Sequence, residues 1–391
     1  MSPRALRTAA CLCTLAIPAV ALAIDFPVTR YDDPDPDGCL LDGPPELWDC
    51  SLREAVLASV ATPTDDRILL SAGTYLLTRP GAGEDEGLTG DLDLLGNVEI
   101  LGPGATMTVI DAGGIGRIFD LRDSDAPGAD AMRIAGVTLA GGIQELEHGG
   151  AALHAFGVDL TVEACELRDN LQDGPYVEGA LRASLGSTLT LRDSSIRGNA
   201  SDGVVIAEAT ATLTNVTISG NGDAGLAVID GDVVCDHCTI RTGDQEQMAV
   251  WLPTYVGHLV LTLANSVVVG ECWGDLYQVG MLSEGGNLES PGASCRLFHP
   301  SDLQNVPDPR LGDLADNGGP TSTHLPAGDS LVLGLALPPH CPPLDQRGAS
   351  RDLDDCDGGA VQLVAADPPT PIFRDGFVQG DTEAWSATGL D

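Results

Sequence analysis

The chain has no lysine. All 19 of its basic residues are arginine, set against 58 acids, for a formal net charge of −39 over 391 residues. Chemistry that needs a lysine amine, a Schiff base or a phosphate-binding loop, is therefore excluded. An excess of negative charge this large repels nucleic acid and anionic membrane surfaces alike. The acids are spread along the chain rather than gathered in a tail, which is the pattern of a solvated surface. Long apolar runs are also missing beyond the first two dozen residues, so no later segment reaches the ~20 residues a spanning helix needs.

What stands at the start is a run of another kind. MSPRALRTAACLCTLAIPAVALA carries Arg4 and Arg7 ahead of an apolar stretch from Thr8 to Leu22, and it ends on Ala21-Leu22-Ala23. Residues 1–23 are predicted to be a secretory signal peptide, with the mature chain starting near Ile24 and leaving the cytoplasm. Of the 11 cysteines, two lie in that segment. Six of the others sit as near neighbours, and in an exported chain this predicts the disulfides Cys39–Cys50, Cys272–Cys295 and Cys341–Cys356. Each would remove ~3 kcal/mol of loop entropy from the unfolded chain. Cys165, Cys235 and Cys238 are left unassigned.

The centre of the chain repeats. STLTLRDSSIRGNASDGVVIAE at 187–208 aligns with ATATLTNVTISGNGDAGLAVID at 209–230, placing Leu191 on Leu213, Ile196 on Ile218, Gly198-Asn199 on Gly220-Asn221 and Gly203 on Gly225. A fixed period with alternating apolar residues and Gly/Asn turns predicts stacked coils. The fold class expected is all-β, a single-stranded right-handed parallel β-helix. Central hydrophobes are expected at Leu139, Leu167, Ile196, Ile218, Ile240 and Val268, with Ala211/Leu213, Val216/Ile218 and Leu226/Val228 pointing inward on three strands of one coil. Gly220-Asn221 would make one bend and Gly225 another. Roughly eight coils at ~4.8 Å each give a rod of about 40 Å.

Around the repeat the chain divides further. Residues 24–49 read as an irregular acidic, Pro-rich leader, and 50–65 as a capping helix. In that helix Ser51 and Glu54 form a capping box, and Leu52, Ala55, Val56 and Ser59 share one face. The β-helix is expected over 66–280, a disulfide-pinned cap region at the opposite end over 281–364, and a Pro-rich linker and tail over 365–391.

CSLREAV at 50–56, preceded by Cys39 and acidic residues, resembles the N-terminal signature of the CSLREA-domain family of secreted bacterial proteins. DPRLGDLADNGGPTSTH at 308–324, DQRGASR at 345–351 and CDGGAVQ at 356–362 resemble that group's carboxyl end. The resemblance implies a pectin-lyase-like β-helix with an adhesin-like or polymorphic outer-membrane-like character. Gly358 and Val361 depart from the bulky aliphatic and aromatic residues usual in the last motif.

Candidate chemistry is sparse. VVCDHCTI at 233–240 echoes an Asp-His-Cys-Thr run of one pectate lyase family, but in the repeat register Cys235 takes the slot of Leu213, Cys238 that of Val216 and His237 that of Asn215. Both cysteines are then core residues. Zinc binding there lacks a second ligand pair at suitable spacing. Asn170, Asn199 and Asn221 share a turn position, where they could serve as ligand groups, but they are expected to form a stacked ladder. Arg168, Arg197 and Arg241 each follow a central hydrophobe and would line one sheet, where guanidinium forks suit carboxylates or sulfates on sugar chains. The alternative is that they neutralise acids such as Asp169 and Asp193. Asp33, Asp35 and Asp37 have the spacing of a calcium loop, without its closing glutamate. The cofactor expectation is thus none beyond weak Ca²⁺ binding at those residues. No triad or metal spacing emerges from the seven histidines, and 58 acids offer too many carboxylate pairs to choose among.

The functional expectation is a secreted or surface-exposed, adhesin-like or structural β-helix protein that binds extracellular polysaccharide or a cell surface as a monomer. A polysaccharide lyase or glycoside hydrolase acting on acidic glycans near residues 165–245 is the alternative.

Overall fold

The structure, a computed structural model, describes residues 23–367 apart from 63, 82, 124–129, 144–148, 172–178, 244–246, 254–258, 275–279 and 339. The predicted signal peptide and nearly all of the tail lie outside the described residues.

Every coil crosses three faces. Face A is built from Asp25–Pro27, Asp66–Leu69, Val98–Leu101, Ala131–Ala135, Asp159–Glu163 and Thr188–Arg192, continuing to Gly280–Gly285. Face B runs from Leu92–Leu95 through Phe119–Arg122, Leu153–Phe156 and Leu181–Ser184 to Glu271–Gly274. Face C is a nine-stranded sheet of short strands from Gly73–Leu76 to Leu288–Ser290. All pairings along the stack are parallel. Two long strands, Val204–Thr214 and Ala224–Asp236, pass from face B to face A without a break, so the two faces form one sheet there.

The period-2 pattern puts alternate side chains inside, where they pile into columns. On face A the column is Ile68, Ile100, Ile134, Val162, Leu191, Leu213, Cys235 and Leu263. On face C it is Tyr75, Ile110, Leu139, Leu167, Ile196, Ile218, Ile240 and Val268. Their side chains are all buried, and burying one of the aliphatic ones is worth roughly 1.5–3 kcal/mol. Ala211, Val216, Leu226 and Val228 are buried as well. Corners are made by residues in the left-handed region: Asp169, Gly198 and Gly220 at one, Ala164, Asp193, Asn215, His237 and Asn265 at another. Gly225 is not a bend. It lies within a strand, where an added Cβ would stand 2.8 Å from Ala249 O and from Ile240 Cγ2, so its role is close approach of coils.

The N-terminal end is closed by the helix Leu52–Val60. Ser51 Oγ accepts from Glu54 N at 3.3 Å and Glu54 Oε2 accepts from Ser51 N at 2.7 Å. Leu52, Ala55 and Val56 cover the first coil, as the apolar spacing requires. The leader is more ordered than its composition suggests. Phe26 and Val28 alternate inward, and Asp25–Pro27 pairs with Arg67–Leu69 as the outermost strand of face A, an edge where proline is tolerated.

Beyond Ser290 the chain does two things. Cys295 and Leu297 close the far end of the core, while Val306, Leu311 and Val332 pack on Val267 and Leu288. Residues 308–367 then double back along the corner between faces A and C. Arg351 Nη2 donates to Asn215 Oδ1 at 2.9 Å, Asn215 Nδ2 to Leu344 O at 3.0 Å, Thr217 Oγ1 to Gln346 Oε1 at 2.6 Å, and Ala360 N to Thr239 Oγ1 at 3.0 Å. The cap region thus extends from the end onto the flank, because buried polar corner atoms there need partners. Among the described residues there are four disulfides: Cys39–Cys50, Cys235–Cys238, Cys272–Cys295 and Cys341–Cys356. Cys165 is a buried free thiol, and burial pushes its pKa up to about 11.

Candidate functional site

Arg168, Arg197, Ser219 and Arg241 do stand in register on face C. They do not form a common basic surface. Arg197 Nη2 and Nε lie 2.6 and 3.0 Å from Glu166 Oε1, and Arg168 Nη1 lies 2.5 Å from Asp169 Oδ2. The other oxygen of Glu166 accepts from Ser322 Oγ at 2.8 Å, and Ser219 Oγ meets His324 Nε2 at 2.9 Å. Neutralising acids and the returning C-terminal segment therefore occupy the first three positions.

Arg241 meets the returning segment too, and it stands beside a pocket. It lines a pocket of about 480 Å³ with Thr242, Gln247 and Ser290 as further polar walls and Val269, Pro291, Pro307, Pro309 and Leu311 as apolar ones. Glu271 and Asp308 complete the rim. One guanidinium nitrogen, Nη1, donates to Gly312 O at 3.3 Å. The pocket exists because the turn after the face C strand Thr239–Arg241, the strand end at Ser290 and the proline-rich segment 307–309 meet there. Volume and mixed lining are those of a site for a small ligand or one unit of a polymer.

In the acidic leader Asp33, Asp35 and Asp37 have separate surroundings. Asp33 is buried and its two oxygens take Arg53 Nε at 2.7 Å and Nη2 at 3.1 Å. Asp35 pairs with Arg79, and the backbone N of Asp37 donates to Glu54 Oε1 at 3.2 Å. The three carboxylates do not converge, because a buried arginine claims the first of them. Arg53 also donates to Gly87 O, Gly90 O and Asp91 O, so it ties the helix, the leader and face B together.

Asn170, Asn199 and Asn221 form the ladder. Asn170 Nδ2 donates to Asn199 Oδ1 at 2.8 Å and Asn199 Nδ2 to Asn221 Oδ1 at 2.9 Å. The left-handed residue of each turn is the one before the asparagine. Cys235 and Cys238 are fully buried and bonded to each other. His237, buried at the corner position of Asn215, holds Asp236 Oδ1 at 2.8 Å through Nδ1 and faces Cys356 Sγ at 3.3 Å through Nε2. Burial lowers its pKa, partly offset by Asp236.

Spacing arguments missed a row on face B. Asp93, Asp120, His154 and Arg182 are cross-strand partners on four successive coils, and Asp91 and Arg117 flank them. Arg117 Nη1 reaches Asp120 Oδ2 at 2.6 Å and Asp91 Oδ2 at 3.2 Å. Arg122 Nη2 reaches Asp120 Oδ2 at 2.9 Å. Burial, with Asp91 and Asp120 alongside, pushes Asp93 up to about 7. Burial would raise Asp120 too, but the imidazole of His154 and the guanidinium groups of Arg117 and Arg122 hold it far below the usual carboxylate range. Burial lowers His154 against the pull of Asp120. The available signal was a polar residue between two apolar ones in LDL at 92–94, FDL at 119–121, LHA at 153–155 and LRA at 181–183, obscured by unequal loops between the coils.

Residues 128–272 match the family model of a right handed beta helix region. The fold is a right-handed parallel β-helix. Among solved structures, pectate lyase Pel9A aligns at a TM-score of 0.47 with 12% identity, over 88% of this chain and 97% of that one. The A-modules of the Azotobacter vinelandii mannuronan C-5 epimerases AlgE4 and AlgE6 align at TM-scores of 0.25 and 0.26, with 16% and 15% identity. They cover 66% and 70% of this chain, and 91% and 95% of their own chains are matched. No curated protein sequence matches the chain. No described helix of the β-helix protein is long and apolar enough to cross a membrane.

Proposed function

We propose that this chain is a secreted or surface-exposed, adhesin-like β-helix protein that binds extracellular polysaccharide, seating one sugar unit in the pocket at Arg241. The observation that carries the reading is the composition of that pocket. Prolines, Val269 and Leu311 suit the C–H faces of a pyranose ring. Thr242, Gln247, Ser290, Glu271 and Asp308 suit its hydroxyls, and a guanidinium suits a carboxylate or sulfate. Four disulfides and a long stacked core accord with an extracellular setting.

The test is affinity electrophoresis of the purified chain against a panel of neutral and acidic glycans. Retention that saturates, weakens at least fivefold in Arg241→Ala and creates no new chain ends supports the reading. Equal retention of Arg241→Ala and wild type, or none with any glycan, sinks it. A second reading, a lyase or hydrolase on acidic glycans, draws on the adjacent carboxylates of Asp93 and Asp120 beside His154. It requires new reducing or unsaturated ends that vanish in Asp93→Asn.

A further inference from the structure

Inside the face B row, three buried polar atoms have no hydrogen-bond partner: Asp93 Oδ2, Asp120 Oδ1 and His154 Nδ1. Their residues are 7%, 3% and 6% exposed. A bare carboxylate oxygen withdrawn from water is expensive, and two together are more so. The guanidinium groups do not relieve it, since Arg117 and Arg122 both approach Asp120 from its Oδ2 side. His154 does not relieve it either. Its Nε2 faces Ser184 Oγ at 3.0 Å, and its Nδ1 stands 3.4 Å from Asp120 Oδ1 without forming a hydrogen bond.

One carboxylate oxygen from each of Asp91, Asp93 and Asp120 lies within 4.8 Å of the other two. We propose that these three residues form a binding site for a hard divalent cation of the calcium class. Oxygen-only donors that converge at this separation are what such an ion takes, and the remaining positions go to water or backbone carbonyls. The site is held rigidly. Asp93 and Asp120 are direct cross-strand partners on neighbouring coils, so the sheet sets their spacing. Asp91 stands one residue before its strand, and its carbonyl is fixed by Arg53 Nη1 at 3.1 Å. The Arg53–Asp33 pair that removes Asp33 from the leader loop thus orders a ligand of the face B site. His154 Nδ1, buried and without a hydrogen bond 3.4 Å from Asp120 Oδ1, is a further unsatisfied polar atom beside the three carboxylates. The charges facing the cluster are Arg117, Arg122 and Arg182 against Asp85, Asp91, Asp93 and Asp120. The inference does not depend on the sugar pocket.

The experiment is calorimetric titration of the full chain, stripped with a chelator, using calcium, magnesium and zinc chlorides in separate runs. One equivalent of calcium is expected, with a Kd of about 10⁻⁴ to 10⁻³ M, the range of extracellular calcium modules. Asp93→Asn should bind at least tenfold more weakly while its far-ultraviolet circular dichroism stays unchanged, and Asp35→Asn in the leader should bind like wild type. Absence of calcium heat overturns the proposal, as does unaltered binding by Asp93→Asn. Loss of binding in Asp35→Asn, or zinc or magnesium binding more tightly than calcium, overturns it as well.

Discussion

Replacing Asn199 by alanine tests whether the asparagines hold coils together or serve a ligand. Asn199 is 3% exposed. Its Oδ1 accepts from Asn170 N at 3.1 Å and Asn170 Nδ2 at 2.8 Å, and its Nδ2 donates to Leu167 O at 3.1 Å and Asn221 Oδ1 at 2.9 Å. Alanine deletes all four bonds and leaves their partners dry. At about 1 kcal/mol net for each bond, the loss is roughly 3–5 kcal/mol. Urea unfolding followed by circular dichroism would read it. A double-mutant cycle with Asn170→Ala should give a coupling of about 0.5–3 kcal/mol, because the two side chains share bonds. A loss below about 1 kcal/mol, or a coupling near zero, would refute the ladder and return these residues to candidate ligand groups.

Other outcomes follow from single environments. Leu213→Ala in the face A column, at a fully buried position, should cost about 2–5 kcal/mol by urea unfolding; a cost like that of an exposed leucine would contradict the stacking. Asp202 is 1% exposed and burial pushes its pKa up to about 6. The folded chain then holds this proton more tightly than the unfolded one, so the stability it brings is complete below the unfolded pKa of ~3.9 and disappears as pH rises through about 6. Asp202→Asn keeps the oxygen that accepts from Ala224 N, and it should flatten that fall and gain up to ~3 kcal/mol at pH 8; an unchanged pH profile would show that Asp202 ionises freely. In a chain that begins at Ile24, and so lacks Cys11 and Cys13, Cys165 should resist an alkylating agent when native and take up one equivalent in denaturant without reductant. Arg351→Ala removes bonds to Asn215, Asp357 and Gly359, so limited proteolysis should cut residues 308–367 sooner than in wild type; equal rates would mean that this contact does not hold the segment.

The solenoid was legible because its signals are local and repeated. Leu139 through Val268 fall in one column since each coil repeats the same three-residue strand at the same place, whatever the loops between. The capping box at Ser51 and Glu54 is likewise written within four residues. Sites were far less legible, because they depend on register between distant coils. Nothing near Asp33 in sequence announces that Arg53 will take both its oxygens, and nothing near Arg197 announces Ser322 behind Glu166. The row of Asp93, Asp120 and His154 lay in early coils of irregular length, where no period was visible to align them. Arg241 was picked out by its place after a central hydrophobe, but its pocket needed segment 307–311, which has no repeat at all.

The doubling back of the carboxyl end has a bearing on the order in which the molecule is completed. Asn215 and Arg351 are 136 residues apart, yet they share a buried hydrogen bond. During synthesis the central rungs are finished long before the groups that seal their corner have left the ribosome. Zipping of neighbours can begin early, while closure along the side waits for a distant contact of high entropic cost. A protein built this way carries its own completeness check: a product cut short ahead of that stretch keeps its rungs but shows water a seam of unsatisfied amides and hydroxyls.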